Sequence, residues 1–336
     1  MALLPSRKSK NFRDHVIYLT AMDINDIRTA AERIKPYVKR TPLEYSQSLS
    51  GHLGTNVYVK YELFQKTGSF KPRGAFNKLL SLTDDERSRG VVAVSGGNHA
   101  QAVAYASSVL GIDAVIAMPV NTPSNYLEAT RSYGATVDLQ PTIRDAFKRV
   151  DEFQAEGRVF VHPFDDPLVI AGQGTIGLEI LEEVPNATDI VVSIGGGGMA
   201  GGVALAAKAI KSDIRAWGVE TVGADAMTQA LAAGKPVEVE ITSIAKTLGA
   251  PYVTERTLDL NRRLFESVTV VTDAEAVEAL AFIAERLKVI TEPAASCTLA
   301  AADQLRGNFS PDSNVVLIFC GGNTSLADAC GYLSMN

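Results

Sequence analysis

KTGSFKPRGAF (residues 66–76) is the stretch on which the reading of this chain turns. It follows a segment, Asn56–Phe64, whose alternating apolar and polar residues predict a strand. Ser69 reads as a helix cap, and Pro72 suits the first turn of the helix behind it. Lys71 would then lie near the positive end of a helix dipole, which disfavours its ammonium form. A lysine with a lowered pKa is the amine that imine chemistry requires. A solvated surface lysine is the ordinary alternative.

Outward from this loop, short apolar runs alternate with helical patterns. Val91–Val94, Ala114–Met118, Val159–Val161, Ile190–Ile194, Ala216–Val219, Val268–Val271 and Val315–Phe319 read as buried strands. Between them lie amphipathic stretches such as Glu275–Arg286, for which Asp273 is the expected cap. A further helix opens at Asp23, with Ile24, Ile27, Ala31 and Ile34 on one face, and stops near Pro36. The alternation predicts an α/β fold with mostly parallel sheets.

Three of the predicted strands run into glycine turns. Val91–Val94 leads into Ser95-Gly96-Gly97-Asn98-His99 and then a helical pattern. A strand, a glycine turn and a helix N-terminus make an anion site, here suited to a substrate carboxylate; a tight turn with an Asn cap would read the same. Ile190–Ile194 leads into Gly195-Gly196-Gly197-Gly198 and a helix opening at Met199. Bare backbone can wrap a phosphate, yet no lysine or hydroxyl follows at the offset of a nucleotide P-loop. Val315–Phe319 leads into Cys320-Gly321-Gly322-Asn323, where the thiol is either a small core residue or a neutral neighbour of a ring nitrogen. A reactive lysine together with a separate phosphate cradle indicates a phosphorylated aldehyde cofactor, pyridoxal phosphate.

Composition sets the outer bounds. The 336 residues allow two domains in one body, with 46% hydrophobic and 21% charged residues as in ordinary globular chains. A net charge of −6 argues against a nucleic-acid surface. No apolar run reaches the roughly 18 residues of a membrane span. The basic residues Arg7, Lys8, Lys10 and Arg13 precede an apolar stretch, Val16–Leu19, too short for a signal-peptide core. Cys297, Cys320 and Cys330 have no metal spacing and read as reduced thiols of a cytoplasmic protein; a homodimer is the expected assembly.

Taken together, KTGSFKPRGA, SGGNH (95–99), AGQGT (171–175), the tetraglycine loop and CGGN (320–323) resemble the fold-type II pyridoxal-phosphate enzymes, and among them the threonine/serine dehydratases and serine racemases. The likeness runs along essentially the whole chain. It implies a tryptophan synthase β-like architecture of two open, twisted, mostly parallel sheets flanked by helices. Residues 1–85 and 168–336 would form a large cofactor-binding domain, and 86–167 a small inserted domain closing over the substrate. Carried over residue by residue, Lys71 would hold the cofactor as a Schiff base and later move the Cα proton. Phe70 would pack on the pyridine ring, and Asn98 would donate to its 3-oxygen. Gly195, Gly196, Gly197, Gly198 and Met199 would offer N–H groups to the phosphate. Cys320 would face the ring nitrogen with Glu292 nearby. Ser95, Gly96, Gly97, Asn98 and His99 would hold the substrate, with Gly249 among the residues lining the pocket.

Departures from the family pattern separate its branches. The racemases resemble SSGNH, with a serine as base on the face opposite the lysine; here that position is Gly96, which suits elimination. Phe164 also resembles the dehydratases, where racemases tend to carry Asn. A divalent cation is held in the racemase-like branch by a Glu, a backbone carbonyl and an Asp. Glu220 and Ala224 match the first two, but the third position is Ala226 and Asp225 is one residue out of place, which weakens such a site. The implied activity is an ammonia-lyase acting on a 3-hydroxy L-amino acid: threonine, serine or a 3-substituted serine such as phenylserine. A racemase is the alternative. Arg144 stands where some relatives place a carboxylate-binding arginine, so a 3-hydroxyaspartate lyase is a further alternative. The pocket beside the hydroxyl carbon would be lined by Phe164 and residues 246–252.

Overall fold

The computed structural model describes residues 22–334; the basic residues and short apolar stretch noted near the N-terminus lie outside them. Ten strands are present among the described residues. They are β1 (Leu43–Tyr45), β2 (Asn56–Lys60), β3 (Val91–Val94), β4 (Ala114–Pro119), β5 (Thr136–Gln140), β6 (Val159–Phe160), β7 (Asp189–Ser193), β8 (Arg215–Thr221), β9 (Ser267–Val271) and β10 (Asn314–Ile318). They form a six-stranded sheet of order β1-β2-β10-β7-β8-β9 and a four-stranded sheet of order β5-β4-β3-β6. Every neighbouring pair is parallel except β1 with β2. The α/β expectation with two mostly parallel sheets therefore holds.

The central strands are continuous apolar runs, as strands covered by helices on both faces must be. Val91–Val94 and Ala114–Met118 are buried throughout, as are Val315–Ile318 and Ile190–Val192. The strand predicted over residues 56–64 ends at Lys60, and Glu62–Phe64 turns instead as a short 3₁₀ helix. That turn lets Glu62 reach inward beneath the lysine loop.

Of two expected caps, one holds and one shifts by a residue. Asp23 caps the helix Ile24–Ile34 as predicted, with Asp26 completing a capping box. The helix Asp273–Leu287 is capped by Thr272, with Glu275 completing the box. Asp273 is its first residue and accepts from Ser243 Oγ and the Ile244 N–H.

The AGQGT motif lies inside the helix Pro167–Glu183 and works by packing. A Cβ on Gly172 would meet the Arg73 carbonyl at 2.5 Å, and one on Gly174 would meet the Gly202 carbonyl at 2.9 Å. This helix thereby lies in close contact with both Pro72–Leu80, which follows Lys71, and Gly198–Ile210, which follows the glycine loop. It fixes the distance between the two halves of the candidate site.

Beneath the lysine loop Arg73 is fully buried and pairs with Glu62 at 2.8 Å and Glu179 at 2.7 Å. Lys60, also fully buried, holds Glu179 at 2.5 Å and the Thr41 carbonyl at 2.7 Å. Charge removed from water is retained only when so fully partnered, and deleting one member of such a set costs about 3–5 kcal/mol.

Candidate active site

The three glycine turns open at the carboxyl ends of β3, β7 and β10; the first two, with Cys320 of the third, line one cavity of about 740 Å³ together with Phe70, Lys71 and Glu292. A crevice beyond the carboxyl ends of parallel strands is the usual ligand position in such sheets. Ser95 to His99, Gly195 to Met199, Gly249 and Cys320, all expected at the site, border this cavity.

The lysine loop is laid against the continuation of β10. The Phe70 N–H donates to the Cys320 carbonyl at 3.0 Å, and the Gly322 N–H to the Gly68 carbonyl at 3.0 Å. Lys71 itself occupies the cap position of the helix Pro72–Leu80. The expected cap is thus corrected: Ser69 is buried and its hydroxyl has no partner, because the loop leaves it short of the free helical N–H groups. Lys71 Nζ donates to the Pro163 carbonyl at 2.7 Å. Burial pushes the lysine down to about 8, while a nearby Cys320 thiolate would pull the other way. The sequence argues for a lowered pKa from the helix dipole; the structure supplies burial as a cause.

The glycine cradle lines the same cavity as Lys71. Gly197 has φ of 88°, a conformation that side chains rarely adopt. A Cβ on Gly195 would meet the Leu248 carbonyl at 2.9 Å. One on Gly196 would fall inside the Phe164 ring, and one on Gly198 would strike the Phe164 carbonyl. The loop is therefore bare by necessity, with the N-terminus of Gly198–Ile210 behind it. That cradle and the desolvated amine fit a phosphorylated aldehyde, so the residues present suit pyridoxal phosphate.

Glu292 is the hub of the polar contacts. It accepts from Asn98 Nδ2 at 2.9 and 3.1 Å, from Thr247 Oγ1 at 2.5 Å and from the Asn323 N–H at 2.9 Å. Burial raises its pKa and these donors oppose the rise. Asn98 Oδ1 in turn accepts from Asn323 Nδ2 at 2.8 Å. Asn98 is thus held rigidly by residues from distant parts of the chain. The Cys320 thiol lies 3.4 Å from Ser193 Oγ and donates to the Ala294 carbonyl at 3.5 Å. Burial, reinforced by Glu292, pushes it up to about 12, so it stays a neutral thiol.

On the substrate side, Ser95 Oγ accepts from the Gly97 N–H at 3.0 Å and shapes the turn. His99 Nε2 lies 2.8 Å from the Val161 carbonyl, which requires the proton on that nitrogen; Nδ1 has no partner. Burial lowers the imidazole to about 3, so it is neutral. Phe164 stands over the cradle, its ring edge to face with His162 at 4.6 Å.

Two expectations do not gather at the cavity. Arg144 points outward, 3.4 Å from Glu238, with both side chains more than three-quarters exposed. Glu220 and Ala224 also lie away from it. Glu220 accepts from the Met227 and Thr228 N–H groups, each at 2.8 Å, and from Thr228 Oγ1 at 2.7 Å. Its carboxylate caps the helix Ala226–Ala233, and Asp225 turns to Gln229. Among the described residues no group of three or more His, Cys, Asp or Glu could hold a metal. The residues at this place do not fit a divalent cation.

Sequence reasoning missed Thr122 and Tyr126. Tyr126 donates to the Asn323 carbonyl at 2.8 Å, and burial raises its pKa. The Thr122 hydroxyl has no partner and would be 2.8 Å from a Cβ at position 96. Thr122 lies in the turn after β4 and Tyr126 in the first turn of the helix Ser124–Ser132, neither beside a glycine cluster, so no local pattern marks them.

Comparison with known proteins agrees with this geometry. A family model described as pyridoxal-phosphate dependent enzyme matches residues 34–321. The chain is 40% identical over 303 residues to an L-threonine ammonia-lyase of Thermotoga maritima, covering 89% of this chain and 75% of that protein. It is 42% identical over 315 residues to a serine racemase of Oryza sativa, covering 91% and 92%. The structure of maize serine racemase superposes with a TM-score of 0.88 at 40% identity, covering 94% of this chain and 98% of that one.

Proposed function

Because the chain belongs to the family of pyridoxal-phosphate dependent enzymes, we propose that it is an ammonia-lyase converting a 3-hydroxy L-amino acid to the 2-oxo acid and ammonia. The observation that carries this reading is the buried Lys71 amine sharing one cavity with a bare glycine cradle, with no side chain at Gly96 to serve as a second base.

When bound, the cofactor supplies a sink for the electron pair left at Cα. Lys71 would hold its aldehyde carbon and, once displaced by the substrate amine, would take the Cα proton. The N–H groups of Gly195 to Met199 would hold its phosphate, Phe70 and Asn98 would flank its ring, and the neutral Cys320 thiol would leave its nitrogen unprotonated. The Ser95–His99 turn holds the substrate carboxylate, with His99 contributing no charge. Loss of the Cα proton and the 3-hydroxyl, together one water, gives an enamine, and its imine tautomer takes up one water to give the oxo acid and ammonia. One basic group on one face favours elimination over racemisation. Residues 86–167 act as a unit that closes over the substrate, a reading supported by the four-stranded sheet drawing all its strands from residues 91–160.

A racemase activity of the same site is the second reading, supported by the unpartnered Thr122 hydroxyl beside Gly96. Purified holoenzyme incubated with L-threonine, L-serine and phenylserine separates the two. Oxo acid is expected, and D-amino acid without oxo acid would replace the lyase by the racemase. Two buried free cysteines suit a reducing cytoplasm, and no helix among the described residues is long and apolar enough to cross a membrane. The proposed assembly is a homodimer, checked by light scattering.

A further inference from the structure

Resting on the lyase reading above, we infer that the preferred substrate carries a bulky apolar 3-substituent, aryl or branched alkyl. The cavity does not end at the lysine and the two glycine turns. Its lining also takes in an apolar wall, Ile143 and Phe147 from one segment and Val239 and Ile241 from another. None of the four is buried: Ile143 is 39% exposed, and the others are half-buried.

The wall is built, not incidental. Thr142 caps the helix Ile143–Ala155, its hydroxyl accepting from the Asp145 N–H at 3.1 Å, and this presents Ile143 and Phe147 one turn apart. On the facing side the run Val237-Glu238-Val239-Glu240-Ile241 alternates, so the apolar residues share one face while both glutamates are exposed. The Val239 N–H donates to the Pro251 carbonyl at 2.8 Å, which anchors the run. Behind, Phe147 meets the Tyr252 ring at 6.2 Å, and Tyr252 meets Phe164 at 6.0 Å. An aromatic relay therefore joins the outer wall to the residue covering the phosphate cradle.

Charge argues in the same direction. Besides Lys71, Lys246 is the one lysine or arginine lining the cavity among the described residues, and it is exposed. Asp328 also lines the cavity, and Arg144 is turned away to Glu238. A 3-carboxylate directed at this wall would meet four apolar side chains and no arginine. The methyl of threonine is too small to cover four such side chains, whereas a phenyl or isopropyl group would take them out of water. In an apolar pocket a single methylene changes kcat/KM by roughly ten- to two-hundred-fold.

The test compares kcat/KM of the holoenzyme for L-threo-3-phenylserine, 3-hydroxyleucine, L-threonine, L-serine and 3-hydroxyaspartate. Phenylserine or 3-hydroxyleucine is expected to exceed threonine by about tenfold or more. Phe147→Ala and Val239→Ser should each lower the phenylserine-to-serine ratio several-fold, through KM. Calorimetry should show phenylpyruvate binding more tightly than pyruvate, which checks the wall independently of turnover. Equal or better turnover of threonine or serine would overturn the inference and leave the lyase intact. So would a preference for 3-hydroxyaspartate, or an unchanged ratio in both variants. No turnover of any 3-hydroxy amino acid would remove the lyase reading and this inference together.

Discussion

The Phe164 ring lies against the backbone of Gly196 so closely that a methyl group at position 196 would fall inside it. Gly198 is blocked differently, by the backbone carbonyl of the same phenylalanine. Gly196→Ala should therefore raise the dissociation constant for pyridoxal phosphate at least about tenfold, since a displaced ring or loop no longer presents aligned N–H groups. Adding Phe164→Ala should recover part of that loss. The same second change should not rescue Gly198→Ala, because the blocking atom belongs to the main chain. Titration of apoenzyme with cofactor, followed by absorbance, reads all three outcomes.

Lys71 gives a pH dependence with a defined sign. With its pKa at about 8, about a tenth of the amine is free at pH 7, against less than about one in a thousand for an ordinary lysine. The rate at which apoenzyme captures the cofactor aldehyde should rise about tenfold from pH 6 to 7 and level off above about pH 9. A rate still climbing tenfold per unit beyond that would mean the amine is not desolvated.

Glu220, which the family resemblance offers as a cation ligand, spends both carboxylate oxygens on the helix behind it. Chelator and added magnesium or calcium should leave the melting temperature and turnover unchanged. Glu220→Ala should destabilise the fold by about 2 kcal/mol, because two helix N–H groups lose their acceptor. A chelator-induced loss of stability that metal restores would contradict this.

The thiols divide by burial. Cys297 is pushed well above the ordinary range and Cys320 up to about 12, whereas Cys330 is exposed. Iodoacetamide on the folded protein should modify Cys330 first, with Cys297 and Cys320 reacting only on unfolding. Peptide mass spectrometry over time checks the order.

Much of this was legible in the chain itself. Buried parallel strands declare themselves as apolar runs, and glycine clusters at their ends mark where backbone must face a ligand. The short edge strand Leu43–Tyr45 and Thr136–Gln140, the latter alternating and partly exposed, lack that signature and went unread. The cap at Ser69 was misread because sequence cannot show that the loop folds back along residues 320–322 instead of running into the helix. Asn98, Glu292 and Asn323 are each suspicious alone, but their mutual bonds span 194 and 225 residues. Thr122 and the wall at Ile143 and Phe147 come together only in the folded chain, so no spacing rule could find them.

The most direct measurement is borohydride reduction of the yellow holoenzyme followed by peptide mapping. The account predicts one pyridoxyl group, carried on Lys71, and neither colour nor oxo-acid formation in Lys71→Ala. A label on another lysine, or a Lys71→Ala protein that still forms the oxo acid, would contradict it.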